Sequence, residues 1–394
     1  MTSRRVVLVS DRFWPLADEP GAMLAALAVE LRRRGHQPTI VTAQWHHSWP
    51  ELLSYEEVHV VRLKHPKGKV WGGWQYARHL TKWLKQHQRE TDVVYVSRLQ
   101  HDAAATIAAL AGHEIPIVLH AAGRGPTGDC QWQQQTRFGS LVRSRCQTAD
   151  AIVVEDELAA RELAAAGYDR SRITIIPPGA APSPDLSRQE RREIRRAFGE
   201  LYDELRLGEL TPWAIYCGPL EKDRGLFQLI EAWATTVRRR PDARLWLVGE
   251  GPARSELQDW IDEHELRGTV LLPGVVECPR EMLAAADVFV SPLDEDRAPW
   301  RLLESLAAGR PAIVSDTPAH RRYITNHQHG LSFPRGDVEA LAVCLERIFS
   351  QPTLATALGS AARQRMERDF PLDLNVETHV ELFERLIHAC QSRS

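Results

Sequence analysis

Ile173-Thr174-Ile175-Ile176-Pro177-Pro178-Gly179-Ala180-Ala181-Pro182-Ser183-Pro184 is the stretch on which the fold turns. A short apolar run of the kind that forms a buried strand is followed by four prolines within the eight residues 177–184. Neither a helix interior nor a central strand accommodates that density of proline. The run therefore closes one domain, residues 1–178, and residues 179–187 read as a linker. On its N-terminal side, short apolar runs at Val6–Val9, Thr39–Thr42, Val58–Leu63, Val93–Val96, Ile117–Leu119 and Ile152–Val154 alternate with amphipathic helical patterns. The first helix places Leu24, Leu27, Ala28 and Leu31 on one face and stops at Gly35. On the C-terminal side the alternation restarts, with strands expected at Trp213–Cys217, Leu245–Val248, Val270–Leu272, Val288–Ser291 and Ala312–Ser315. Strands alternating with helices give a parallel sheet covered on both faces. The expected class is α/β, with two doubly wound, Rossmann-like domains, 1–178 and 188–371, facing a central cleft. Residues 372–394 form a last helix with no strand after it.

Length and composition fit this division. A chain of 394 residues exceeds what one core usually organises, and 43% hydrophobic with 26% charged residues excludes a disordered chain. A net charge of −3 argues against a nucleic-acid-binding protein, so no nucleic-acid partner is expected. The segment 188–196 carries five arginines, but Glu190, Glu193 and Glu200 intermix with them, which reads as a solvated helix. No apolar run approaches a membrane span, and Val6–Ser10 follows the N-terminus without the apolar core of a signal peptide. The expected location is cytoplasmic. Six cysteines without CxxC or Cys/His ligand spacing indicate neither a disulfide framework nor structural zinc.

In open α/β sheets ligands bind outside the carboxyl ends of the strands, so the loops leaving those ends are the candidates. The first, Ser10 to Ala22, is no GxGxxG, which argues against a dinucleotide cofactor. Its Gly21 precedes a helix whose free N–H groups would suit an anion. The loop after Ile117–Leu119 presents His120, Gly123, Arg124, Gly125 and Gly128. In the second domain Gly218-Pro219-Leu220-Glu221-Lys222-Asp223-Arg224-Gly225 sets two cations beside a helix start, which suits phosphate oxygens. Gly249-Glu250-Gly251-Pro252 ends the next strand in a tight turn, and Ser291 to Gly309 gathers four acids around a helix start.

Taken in order, four stretches resemble retaining GT-B glycosyltransferases of family 4, and the likeness spans nearly the whole chain. Pro20-Gly21-Ala22 with Arg34-Gly35-His36 through Thr42 is similar to that family's glycine loop and "RGHxVTVVT". Asp150–Val154 through Ile175–Gly179 resembles its "ADxVIxxS … IPNG" run. Leu247–Pro252 with Ala284–Pro292 resembles "VGxGP … AADVFVxPS", and Leu302–Pro311 resembles "LLEAMAxGxPV". The resemblance implies a nucleotide-sugar donor as co-substrate, no cofactor or metal, and transfer of the sugar to a hydroxyl of a carbohydrate or lipid-linked acceptor with retention. It also implies that the last helix returns to the first domain. Within the family's E-x7-E motif, Glu304 falls where the ribose hydroxyls bind, with Leu303 beside it, and the sugar-contacting acid falls on Asp296, with Glu295 adjacent. Gly251 falls in the donor-binding turn, and His120 in the slot of a histidine that touches the donor sugar. The family's diphosphate-binding Arg and Lys fall on Pro219 and Arg224, and Pro299 replaces a glycine. Lys222 and Arg301, two cations close to these departures, are expected to compensate on the diphosphate.

Two further expectations concern alternatives and partners. Pro219, Asp296 and Pro299 together motivate a second reading, a catalytically lapsed nucleotide-sugar or glycan-binding relative. An epimerase of the same architecture is a third, and Asp294-Glu295-Asp296 matches the DxD signature of single-Rossmann glycosyltransferases, which lack tandem doubly wound domains. From Arg62 to Arg89 eight Lys or Arg residues and no acid are interleaved with Trp71, Trp74, Tyr76 and Trp83. Such a face would suit peripheral contact with an anionic inner membrane surface, while a charged outer helix face is the plainer reading.

Overall fold

The structure, a computed structural model, describes residues 2–15, 18–65, 71–201, 206–276, 279–293 and 300–392, without the side chains of 71–74, 127, 201 and 279. The chain falls into two compact units, Met1–Pro178 with Leu372–Ser394, and Gly179–Pro371.

Among the described residues the first unit is built on eight strands, β1 (Arg5–Val9), β2 (Gln37–Gln44), β3 (Leu52–Tyr55), β4 (Val58–Lys64), β5 (Val93–Val96), β6 (Ile117–His120), β7 (Ala151–Val154) and β8 (Ile173–Ile175). They are ordered β3-β4-β2-β1-β5-β6-β7-β8. All neighbours pair parallel except β3, which runs antiparallel to β4. The central strands β5, β6 and β7 are buried at every position, because helices cover both faces of a parallel sheet and the sequence must be apolar throughout. The helix Glu19–Arg33 buries Leu24, Leu27, Ala28 and Leu31, the spacing visible in the sequence. Gly35 then leaves the helix at φ 86°, a conformation only glycine adopts readily. The helix Leu372–Gln391 completes this unit: Glu384 takes a two-pronged hydrogen bond from Arg4 (2.8 and 2.6 Å), and Asn375 donates to the Pro177 carbonyl (2.6 Å).

The second unit holds β9 (Trp213–Cys217), β10 (Arg244–Val248), β11 (Val270–Gly274), β12 (Val288–Ser291), β13 (Ala312–Ser315) and β14 (Gly330–Phe333). Their order is β11-β10-β9-β12-β13-β14, parallel throughout. Trp213, Trp233 and Trp246 fill its interior with no exposed surface. In both units the chain order reverses beside the first strand, between β1 and β5 and between β9 and β12, and the loops at the carboxyl ends there form a natural crevice.

Two strands escaped the sequence reading. β3 alternates exposed and half-buried residues at a sheet edge, so it lacks the continuous apolar run that marks its neighbours. β14 sits in a histidine-rich and glycine-containing segment and is held mainly by its pairing with β13.

Candidate functional site

In the second unit the loops at the carboxyl ends of β9 and β10 are laced together through their backbones, and the loop after β12 closes on Gly225 at Pro292. Gly218 N donates to Val248 O (2.9 Å), Leu220 N to Glu250 O (3.0 Å) and Ala253 N to Leu220 O (3.0 Å). The glycines make this approach feasible. A Cβ on Gly249 would lie 1.9 Å from Gly218 O, one on Gly251 2.2 Å from Leu220 O, and one on Gly225 1.9 Å from Pro292 O. Gly225 also caps the helix Leu226–Arg239 at φ 67°. The result is a bare backbone rim at the reversal of strand order, with a helix start opening onto it.

Glu304 lies on the helix Trp300–Ala307 and is only 7% exposed. Arg280 Nε donates to its Oε1 (3.0 Å) and Arg301 Nη1 to its Oε2 (2.5 Å). Burial pushes this carboxyl up, but Arg301 first and Arg280 second outweigh it and hold the group below the usual carboxylate range. Arg301 is thus engaged with Glu304. Arg280 had no signal in the sequence, since it meets Glu304 only through the packing of two separate helices. Its side chain is 52% exposed and binds Glu304 through Nε. Arg224 is 3% exposed and turns back onto Glu221, with Nε at 3.0 Å and Nη2 at 2.9 Å from one carboxylate oxygen. Lys222 points the other way, pairing with Glu256 on the neighbouring helix (2.5 Å) while 70% exposed. Leu303 is 1% exposed in the apolar core with Trp213 and Trp246, so its side chain packs and does not line the rim. Asp294, Glu295, Asp296 and Pro299 lie outside the described residues.

A buried network beneath this rim went unread in the sequence. His320, 1% exposed, donates from Nδ1 to Ser315 O (2.8 Å), which leaves Nε2 to accept from the Ser291 hydroxyl (3.0 Å). Ser315 Oγ in turn donates to the Leu293 carbonyl. The network ties the ends of β12 and β13 to the residues leading into 294–299. A histidine within Thr317-Pro318-Ala319-His320 carries no motif, and only the parallel pairing of β12 with β13 brings it to Ser291.

In the first unit the expectation for Gly21 is corrected. The helix begins at Glu19, so Gly21 lies within its first turn. Its N–H is taken by the capping carboxylate of Asp18 (3.0 Å). A helix start already capped by an anion does not offer that N–H to a second one. Gly21 is required for another reason: a Cβ would stand 2.3 Å from Arg12 O. Asp18 also pairs with Arg98, which follows β5. Asp129, 2% exposed, accepts from Leu99 N (2.9 Å) and Ala122 N (2.8 Å) and so fixes the loop after β6. His120, at the end of β6, is 3% exposed, with the Tyr95 ring stacked at 6.1 Å and His379 of the last helix nearby. Burial, then His379 and Arg98, bring its imidazole down to about 3, so the ring is neutral at physiological pH. Arg124, from the same loop, pairs with Asp156 (3.1 Å).

The basic face from 62 to 89 divides. Arg62 is not at the surface: it is 3% exposed, donates to Trp14 O (2.8 Å) and stands over the rings of Trp14 and Trp49. Tyr76 is buried, and Trp83 packs on the core stacked with His87. Arg78, Lys82, Lys85 and Arg89 are exposed at i, i+4, i+7 and i+11, a single stripe along the helix Trp71–His87 and the turn after it. Lys67 and Lys69 lie outside the described residues, as do the side chains of Trp71 and Trp74. No described helix is long and apolar enough to cross a membrane. Among the described residues no three His, Cys, Asp or Glu side chains converge as metal ligands.

Residues 21–183 match the model of Glycosyltransferase Family 4, and residues 201–365 that of glycosyl transferases group 1. LpsE of Rhizobium meliloti, a lipopolysaccharide core biosynthesis glycosyltransferase, is 28% identical over 172 residues, 44% of this chain and 49% of LpsE. The alpha-monoglucosyldiacylglycerol synthase of Streptococcus pneumoniae is 20% identical over 365 residues, 89% of this chain and 79% of the synthase. The chain spans about half the length, or less, of the first curated relatives it matches. Among solved structures, Anabaena Alr3699/HepE in complex with UDP and glucose matches with a TM-score of 0.74 at 15% identity, over 97% of this chain and 100% of that one. With both family models matched in order along two Rossmann-like units, the chain belongs to the group 1 glycosyltransferases of family 4 and has their GT-B fold.

Proposed function

We propose that the protein moves a hexosyl group from a nucleotide-sugar donor to an acceptor hydroxyl, with retention and without a metal ion. The observation that carries this reading is Glu304, an ionised carboxylate held between two guanidinium groups beside a backbone rim of close-packed glycines. In this reading the carboxylate accepts the ribose hydroxyls, since its two oxygens offer about four lone-pair sites and Arg280 and Arg301 occupy one on each oxygen. The turn at Gly251 lets the nucleotide approach the backbone. Arg301 and Arg280 supply the positive charge on the diphosphate that Pro219 cannot, with Arg224 behind them. Lys222 joins them by leaving Glu256, since an exposed ion pair is worth less than about 1 kcal/mol. As the bond from the anomeric carbon to the phosphate oxygen breaks, negative charge grows on the leaving diphosphate. Cations fixed there beforehand stabilise the transition state more than the ground state. The acceptor hydroxyl enters on the face the diphosphate leaves. Asp296 or Glu295 contacts the sugar hydroxyls, and His120, being neutral, would hydrogen-bond the sugar and carry no charge into the site.

The acceptor is a glycan or glycolipid, consistent with the names of the lipopolysaccharide-core and glucosyldiacylglycerol relatives. The stripe Arg78, Lys82, Lys85 and Arg89 supports peripheral contact with an anionic membrane from the cytoplasmic side, each cation adding about 1 kcal/mol.

Release of free nucleoside diphosphate from a panel of nucleotide-sugars tests the reading, because retaining enzymes slowly hydrolyse their donor. Turnover with one donor, lost in Arg301→Ala and Arg280→Ala, is expected. Tight donor binding with no release over hours would favour the lapsed relative, the reading motivated by Pro219, Asp296 and Pro299.

A further inference from the structure

Three helices of the first unit, Trp71–His87, His101–Leu110 and Gly139–Cys146, lie side by side on one face of its sheet. Leu80 and Leu84 of the first, Ala105 and Ala109 of the second, and Val142 and Cys146 of the third share one core with β1, β5 and β6. Neighbouring helices pack about 8–10 Å apart, so the outer two lie roughly 18 Å from each other. The exposed stripe Arg78, Lys82, Lys85 and Arg89 runs along one border of this layer.

The opposite border turns apolar side chains outward. Phe138, which precedes the third helix, and Leu141 in its first turn are each 51% exposed. Three residues apart, they share a helix face, and Arg145, four residues after Leu141, continues it. Arg137 stands over the Phe138 ring at 5.4 Å. The helix cannot roll to hide the pair. Gly139, Val142 and Cys146 already face inward, and a Cβ on Gly139 would lie 1.8 Å from Gln133 O. Arg78, Lys82, Lys85, Arg89, Arg137 and Arg145 make no ion pair among the described residues. No acid occurs between Asp129 and Asp150. In the rest of 71–149, Asp102 and Asp129 are buried and Asp92 pairs with Arg5 (2.6 Å). The exposed acids there, Glu90 and Glu114, both lie outside the three helices.

We propose that this face docks on an anionic lipid bilayer, with Phe138 and Leu141 entering the boundary between headgroups and acyl chains. The inference rests on the membrane contact proposed above and adds the element that inserts. Cations alone hold a protein at the headgroup layer, where each raises the partition about fivefold and the attraction fades within a Debye length. An apolar pair flanked by arginines reaches deeper: the ring and the leucine leave water while the guanidinium groups stay with the lipid phosphates. A nucleic acid would meet the same cations but leave Phe138 and Leu141 in water, so charge and apolar surface together favour the bilayer.

Sedimentation of the full chain with vesicles of phosphatidylcholine and phosphatidylglycerol, against phosphatidylcholine alone, tests the face. Binding is expected only to the anionic vesicles, together with a rise in the surface pressure of an anionic lipid monolayer. Phe138→Ser with Leu141→Ser should cut the partition about tenfold and abolish the pressure rise, yet keep the salt dependence because no charge changes. Lys82→Glu with Lys85→Glu should cut it about 25-fold or more and flatten the salt dependence. All four side chains are exposed, so thermal unfolding of both double variants should match the wild type. Release of nucleoside diphosphate from the donor, without acceptor, should be unchanged in the Phe138 and Leu141 variant. Donor release without vesicle binding in the wild type overturns this inference alone, whereas vesicle binding without donor release supports the face and counts against the transferase reading. Anionic binding undiminished in the Phe138 and Leu141 variant, or lipid-free self-association that this variant abolishes, also overturns the inference.

Discussion

Glu304 and Asp102 are both buried carboxylates, and their surroundings drive them in opposite directions. Glu304 has Arg301 and Arg280 on its two oxygens, so the fold favours its charged form. Its contribution is present above the ordinary carboxylate range and is lost as pH falls through its lowered value. Removing it strands two cations. Glu304→Ala should cost about 3 kcal/mol in denaturant unfolding, while Glu304→Gln, which keeps the shape, should cost less yet weaken nucleoside diphosphate binding at least as much. Asp102 is 4% exposed, with Oδ1 on Ala103 N (3.1 Å) and Oδ2 without a partner among the described residues. Burial, and then Asp11, push it up, against the pull of Arg98. Here the sign reverses: stability is complete below the ordinary carboxylate value and is lost as pH rises through the raised one. Asp102→Asn should therefore stabilise the protein by about 1–2 kcal/mol at pH 8 and leave it unchanged near pH 4, as read from paired denaturation curves.

At the scale of elements, the donor rim depends on three loops whose backbones touch. Gly225→Ala meets both a positive φ and the Pro292 carbonyl, and Gly249→Ala meets the Gly218 carbonyl. Each should lower stability by about 2 kcal/mol or more and abolish donor binding, a joint loss that chemical denaturation and calorimetric titration would show. His320→Ala acts one layer below: it leaves Ser291 without its acceptor and loosens the tie between β12, β13 and Leu293. The expected outcome is a fall of about 2–3 kcal/mol together with weaker donor binding, which Asn partly restores. The sequence revealed the strand-to-helix loops and their glycines, because tight turns demand particular residue types. It was silent on Arg280 and His320, whose partners lie 24 and 29 residues away and are met only once helices and strands have packed.

Across the first unit as a whole, the last helix and the sheet share a buried aromatic cluster. Tyr95 meets His120 at 6.1 Å, His379 at 5.6 Å and Phe383 at 6.2 Å. Burial brings His120 to about 3 and His379 to about 4, from an ordinary 6.5. The folded unit thus excludes protons that the unfolded chain would bind, and its stability is complete above pH 6.5 and lost as pH falls toward 4. Each histidine contributes a slope of roughly 1.4 kcal/mol per pH unit in that window. His379→Phe should flatten the acid limb of a Tm-against-pH curve and leave Tm near pH 8 little changed. A wild-type curve that stayed flat between pH 6.5 and 4.5 would contradict the buried neutral pair.

What the sequence determined by itself is what local chemistry encodes. Uninterrupted apolar runs specify buried parallel strands, prolines at 177–184 forbid either regular structure from continuing, and the order of motifs identifies the family. The edge strand Leu52–Tyr55 and the short strand Gly330–Phe333 lacked that signature because neither needs to be apolar throughout. Only the tertiary structure decided which charges meet. It spent Gly21's N–H on Asp18, turned Arg62 inward and set Arg301 and Arg280 on Glu304. Charge partners are chosen by distance in space and by access to water, and a linear sequence carries neither until the layers have packed.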